Sequence, residues 1–173
     1  MESINRKVYN SRRLFDINKE IINWDLKKRH GMQKWRGHDK YGFLEFNIYE
    51  LKNYKNEINN EFPSNYTSNI DWKVDDSIFP QELYNIHIDE LKIYADFISS
   101  YISGLRGESL DFIFEITFAG FHIIDSWRKH IYGRALIEAF VSCFDEEHYQ
   151  LGKAHKESYH SDEEINYRMK HYK

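Results

Sequence analysis

The chain has 173 residues, of which 41% are apolar, 30% charged and 17% aromatic (13 Tyr, 12 Phe, 4 Trp), with a formal net charge of −4. That length suits one domain that buries about two thirds of its surface, and the rings supply a core without staples, since each removes ~150–250 Å² from water. The lone Cys143 excludes an internal disulfide framework, and no apolar run reaches the ~18–20 residues that a membrane span needs. With no signal-peptide core near the start, the expected location is the cytoplasm.

Charge divides along the chain, +6 over residues 1–40 and −10 over residues 41–173. A one-signed field steers association without naming the partner. Within the basic part, Leu14, Ile17, Ile21 and Trp24 have helical spacing, and the rest reads as an N-terminal arm over 1–40. Between 26 and 41 the arm interleaves Lys27, Lys28, Arg29, Lys34 and Arg36 with Trp35, the mixture of cations and rings that a single-stranded nucleic acid groove offers. The alternative is that these cations answer the acidic body of the same molecule.

A core domain is expected over 41–152. Leu44, Ile48, Leu51, Ile58 and Phe62 predict an amphipathic helix over about 43–62, and the Ser-, Asn- and Asp-rich stretch between Pro63 and Pro80 reads as a linker. Tyr84, Ile88, Leu91, Ala95, Ile98, Ile102 and Leu105 then repeat in alternating steps of four and three, between Pro80 and Gly107. That pattern predicts one long helix.

The segment 110–131 fits two patterns. Phe112, Phe114, Ile116 and Phe118 alternate as in a strand, whereas Phe112, Ile116, Ala119, Ile123, Trp127 and Ile131 form a helical stripe. Its length favours helix, strands being typically ~5–6 residues. Gly133 then allows a turn into a helix over about 134–151, with Leu136, Phe140, Phe144 and Leu151 inward and Cys143 a small buried hydrophobe. Residues 153–173 read as a charged tail. The expected fold is mostly α, an antiparallel bundle of about four to five helices; the alternative is α+β with a β-hairpin near 110–125.

On a helical 110–131, Asp111, Glu115, His122 and Asp125 would share one line, and Glu115, His122 and Asp125 are the candidate acid–base groups. The same line is equally the wet face of an amphipathic helix, and a hairpin would break it up. Glu157 to His160 and Asp145 to His148 have the carboxylate–histidine spacing of di-metal bundles, but without inward carboxylates on two further helices no metal is expected. No nucleophile elbow, phosphate loop or dinucleotide turn occurs, so no cofactor is expected and enzymatic activity is not favoured.

What remains favours a protein-binding module, an inhibitor or immunity-type protein whose acidic, aromatic-rich surface meets a partner protein with a basic surface. Asp145, Glu146, Glu147 and Tyr149 are its candidate contacts. Nucleic-acid binding by the 26–41 arm is the alternative, and catalysis by Glu115, His122 and Asp125 the second.

Overall fold

A computed structural model describes residues 13–38, 40–53, 70–122 and 124–159. The first element is a 3-10 turn, Leu14–Ile17, leading into the short helix α1, Asn18–Asn23. Its spacing buries Ile17 and Ile21, with Trp24 just beyond, as the helical reading of these residues expects. Arg106 closes the helix end, its Nη1 lying 2.7–2.9 Å from the carbonyls of Ile21, Ile22 and Trp24, where the helix runs out of backbone donors apart from the Trp24 N–H to Ile21 at 3.3 Å.

Beyond α1 the chain is not an arm. Arg29–Gly37 forms β1, which turns back antiparallel onto β2, Lys40–Glu50, in a register from Arg29 opposite Ile48 to Gly37 opposite Lys40. The segment Phe112–Gly120 is β4, antiparallel to β2 on one side and parallel to the short β3, Ile70–Trp72, on the other. The four-stranded mixed sheet has the order β1-β2-β4-β3. Helix α2, Gln81–Arg106, links the parallel pair, and α3, Ile131–Ser142, and α4, Glu146–Tyr159, are the last elements among the described residues.

The fold is therefore α/β, and the helical-bundle expectation is overturned. The hairpin alternative is corrected as well, because the hairpin lies at 29–50 while 112–120 is one central strand. The cause is burial on both faces. Phe112, Phe114, Ile116 and Ala119 enter the main core, and Ile113 and Phe118 are buried on the other side. A strand covered on both faces loses the polar alternation that would mark it in sequence.

The same ambiguity explains 43–62. Leu44, Ile48 and Leu51 fit helical steps, yet Leu44, Phe46 and Ile48 point into the core while Phe43, Glu45, Asn47 and Tyr49 take the opposite face. Helix begins only at Leu51, and Ile58, Phe62 and the expected linker up to Asn69 lie outside the described residues. The predicted long helix is present as α2, with Pro80 before it and Gly107 after it at φ 65° in the left-handed region. The helix expected over 134–151 is two helices that break at 143–145, and Gly133 sits in the first turn of α3 rather than in a loop. Tyr94 explains that glycine, since a Cβ on Gly133 would come within 2.3–2.7 Å of its ring.

Helices α2 and α3 pack on the main core, whereas α4 crosses the β1 edge and covers part of the opposite face with Tyr149 and Tyr159. Outward backbone groups of β1 are occupied there: the Met32 N–H donates to Ser142 Oγ at 2.9 Å and the Lys34 N–H to Gln33 Oε1 at 3.0 Å. This protects an edge strand from pairing with another chain. Cys143 is buried, and burial pushes its thiol well above the ordinary range. Among the described residues no helix is long and apolar enough to cross a membrane.

Close packing of α4 on β1 depends on Gly152, where a Cβ would lie 2.0 Å from the Met32 carbonyl oxygen. Gly152→Ala is expected to lower stability by about 1–3 kcal/mol. Gly104→Ala, on α2 with nothing within 4 Å of the added carbon, is expected to raise it by about 0.5–1 kcal/mol. Urea denaturation of the two variants checks both signs.

Candidate functional site

The end of the sheet at the β1–β2 turn carries the densest positive charge. Strand β1 brings Lys34 and Arg36 there, β2 starts with Lys40, and the loop after β4 returns alongside. Ser126 holds that loop to the hairpin, its Oγ donating to the Tyr41 carbonyl at 2.6 Å and accepting the His122 N–H at 2.7 Å. From α2, His87 Nε2 donates to the Ser126 carbonyl at 2.6 Å. Burial holds His87 below its ordinary pKa, consistent with a neutral ring.

Glu90, one turn further along α2, fixes the loop's exit. Its Oε1 accepts the His130 N–H at 2.7 Å and lies 3.0 Å from His130 Nδ1. His130 is thereby held at φ 66°, a backbone region that costs a residue other than glycine about 1–3 kcal/mol. Trp127, Arg128 and Lys129 are left exposed, and α3 begins so that the Arg134 guanidinium lies 5.0 Å from the Trp35 ring centre.

Two neighbouring groups register the resulting field. His155 on α4 is lowered to about 4 by burial and then by Lys34, Arg36 and His148. Lys34 is itself held below the usual lysine range by burial and by Arg36. Within 34–38, 40 and 128–134 the described residues include six Lys/Arg and no Asp/Glu; Asp39, in the turn, lies outside them.

Three of the six arm residues expected to bind nucleic acid, Lys34, Trp35 and Arg36, lie at this end. Lys27, Lys28 and Arg29 lie at the opposite end of β1. There Lys27 is 3.3 Å from Asp25, Lys28 sits over the Tyr49 ring, and Arg29 donates to the Cys143 carbonyl at 3.0 Å while stacking on Phe144. Arg128, Lys129 and Arg134 were not grouped with them by sequence, whereas Lys40 falls within the 26–41 run. The available signal was local charge at 128–134, but nothing in linear order shows that β4 and its loop return to the hairpin.

The proposed acid–base line is divided. His122 and Asp125 share the 121–127 loop, with Nδ1 and Oδ2 3.2 Å apart. Glu115 projects from the middle of β4 onto the sheet's opposite face, where Oε1 accepts from Asn47 (2.8 Å) and Tyr49 (3.3 Å) and Oε2 from Lys73 (2.8 Å). Burial alone would raise its carboxyl; the Lys73 and Asn47 hydrogen bonds outweigh this and hold it low. These contacts use Glu115 to satisfy a buried charge, so it has no hydrogen-bonded link to His122.

A second polar chain ties α4 to the same face. Tyr149 OH lies 2.8 Å from His30 Nδ1, His30 Nε2 lies 2.8 Å from Glu45 Oε1, and Lys156 donates to Glu45 Oε2. Of the residues expected to meet a protein partner, Tyr149 is thus tied into this chain. Asp145 caps α4 by accepting the His148 N–H at 2.9 Å, Glu146 accepts from Gln150, and Glu147 is exposed. His148 itself lies 2.9 Å from Glu138, and among the described residues no group of three potential ligands could hold a metal ion.

No protein-family model and no curated protein matches the chain. The fold and the charged end described above stand as its defining features.

Because His155 titrates at about 4 when folded against 6.5 ordinarily, the unfolded chain binds the extra proton between those values. Its contribution to stability is complete above pH 6.5 and is lost as pH falls toward 4. His155→Gln is expected to flatten the stability–pH curve in that window, read from urea midpoints at half-unit steps.

Proposed function

We propose that the protein binds single-stranded nucleic acid at the end of the sheet where the β1–β2 hairpin meets the 124–130 loop. The observation that supports this best is the gathering of Lys34, Arg36, Lys40, Arg128, Lys129 and Arg134 around one end, with Trp127 46% exposed beside them. Six cations in one place neutralise successive phosphates and release their counterions. An exposed indole adds a stacking surface that accepts any base.

The chain's net charge of −4 opposes a polyanion overall, so binding is confined to the basic end. Acidic surface elsewhere repels a polyanion and leaves one end open to approach, so orientation follows from the field. The cytoplasm is the location proposed with this reading. Protein binding, which composition favoured, draws its support from a different face: an exposed apolar row on α2, rather than Asp145, Glu146 and Glu147.

Binding of a fluorescent single-stranded oligonucleotide is expected to weaken with salt, with a log–log slope of about 3–4 for some five phosphates. Arg36→Glu combined with Arg128→Glu is expected to reduce affinity by more than about tenfold and to lower the slope by at least about 1. Lys27→Glu combined with Lys28→Glu, at the far end of β1, is expected to change neither. Fluorescence anisotropy from 50 to 300 mM salt decides it, and equal losses in the two double variants would sink the reading.

A further inference from the structure

Helix α2 does more than fill the core. Its inward residues Leu83, Leu91, Ala95, Ile98 and Ile102 are buried, yet Ile86, Ile93 and Phe97 on another face are 43%, 67% and 51% exposed. Counting position 90, these follow steps of four, three and four, the spacing of a coiled-coil seam, although Glu90 itself is turned to His130 and largely buried. From Ile86 to Phe97 the row spans eleven residue steps, about 16 Å or three turns. Exposed large apolar residues are ordinary when scattered, but here they are aligned on one helix.

Charge beside the seam is also ordered. Glu82, Asp89 and Asp96 recur every seven residues along one flank, and all three are exposed. Lys92 lies 3.8 Å from Asp89 on this flank. On the other flank His87, Tyr94 and Tyr101 are engaged within the chain, by Ser126, by the close approach to Gly133 and by Asn18. Flanking charges of this kind set partner choice in paired helices.

We infer that the Ile86–Ile93–Phe97 row of α2 docks an amphipathic helix of a partner protein whose flanking positions are basic. This inference concerns a different ligand from the nucleic acid, although His87 and Glu90 of the same helix also hold the 124–130 loop. A second copy of the chain is the poorer occupant. Antiparallel self-pairing sets the Glu82, Asp89 and Asp96 flank against itself, and parallel self-pairing sets it against His87, Tyr94 and Tyr101, which are turned inward. Only a helix of opposite charge satisfies both the row and its flank.

The test uses two synthetic helical peptides of three heptads with Leu at both seam positions, one flanked by Lys and the other by Glu. Fluorescence anisotropy with the full chain is expected to give binding of the Lys peptide at least about tenfold tighter than the Glu peptide. Ile93→Asp should remove at least about tenfold of that affinity, and Glu82→Lys combined with Asp89→Lys should reverse the preference. Circular dichroism of each variant confirms folding, and Phe97→Ser serves as a second seam variant. Equal binding of the two peptides, or binding unchanged in both seam variants, overturns the inference. So does sedimentation as a dimer that Ile93→Asp dissociates.

Discussion

Burial of β4 on both faces is the constraint from which the rest of the structure follows. Phe112, Phe114 and Ile116 are fully buried on the helical side, and Ile113 and Phe118 are covered on the other. Each such side chain is worth about 1.5–3 kcal/mol relative to leaving it exposed, far more than any one surface contact in the molecule. The strand must therefore lie between neighbours, and β2 and β3 provide them. Thr117 is the one exposed residue of β4, at the point where the pairing with β2 shifts between Glu45 and Phe46. Past that bulge Phe118 faces the α4 side and Ala119 the core.

Placing a carboxylate on this strand has a cost that the surrounding residues offset. Glu115 is 8% exposed, and an unpartnered charge there would be prohibitive. Asn47 and Tyr49 on β2 and Lys73, just after β3, supply its hydrogen bonds. The same logic governs Glu45, where His30 and Lys156 hold α4 against the sheet. Both carboxylates join elements distant in sequence, so their value lies in assembly.

The charge distribution depends on the loop that leaves β4. Ser126 holds it to the hairpin and Glu90 holds His130 in a left-handed conformation. Together they bring Arg128, Lys129 and Arg134, drawn from the acidic part of the sequence, to the end of the sheet that carries Lys34, Arg36 and Lys40, with Arg134 over Trp35 on one face and Lys34 and Arg36 toward His155 on the other. The +6 and −10 segments thus fold into a different division, with cations gathered at one end of the sheet and carboxylates along α2.

By itself the sequence determined α2, its Pro80 and Gly107 boundaries, the burial of Ile17, Ile21 and Trp24, and the mixture of cations and rings around Trp35. Each is a local property: a periodic row, a residue with restricted φ, a run of charge. Tertiary structure alone decided that 40–50 and 112–120 are strands. Leu44, Ile48 and Leu51, like Phe112, Ile116 and Ala119, satisfy helical steps and strand alternation together, and pairing with distant segments settles such cases. It also decided that Glu115 and His122 part company and that Arg128 joins Arg36. Those relations rest on the return of β4 beside β2, which carries no signature within any short stretch of chain.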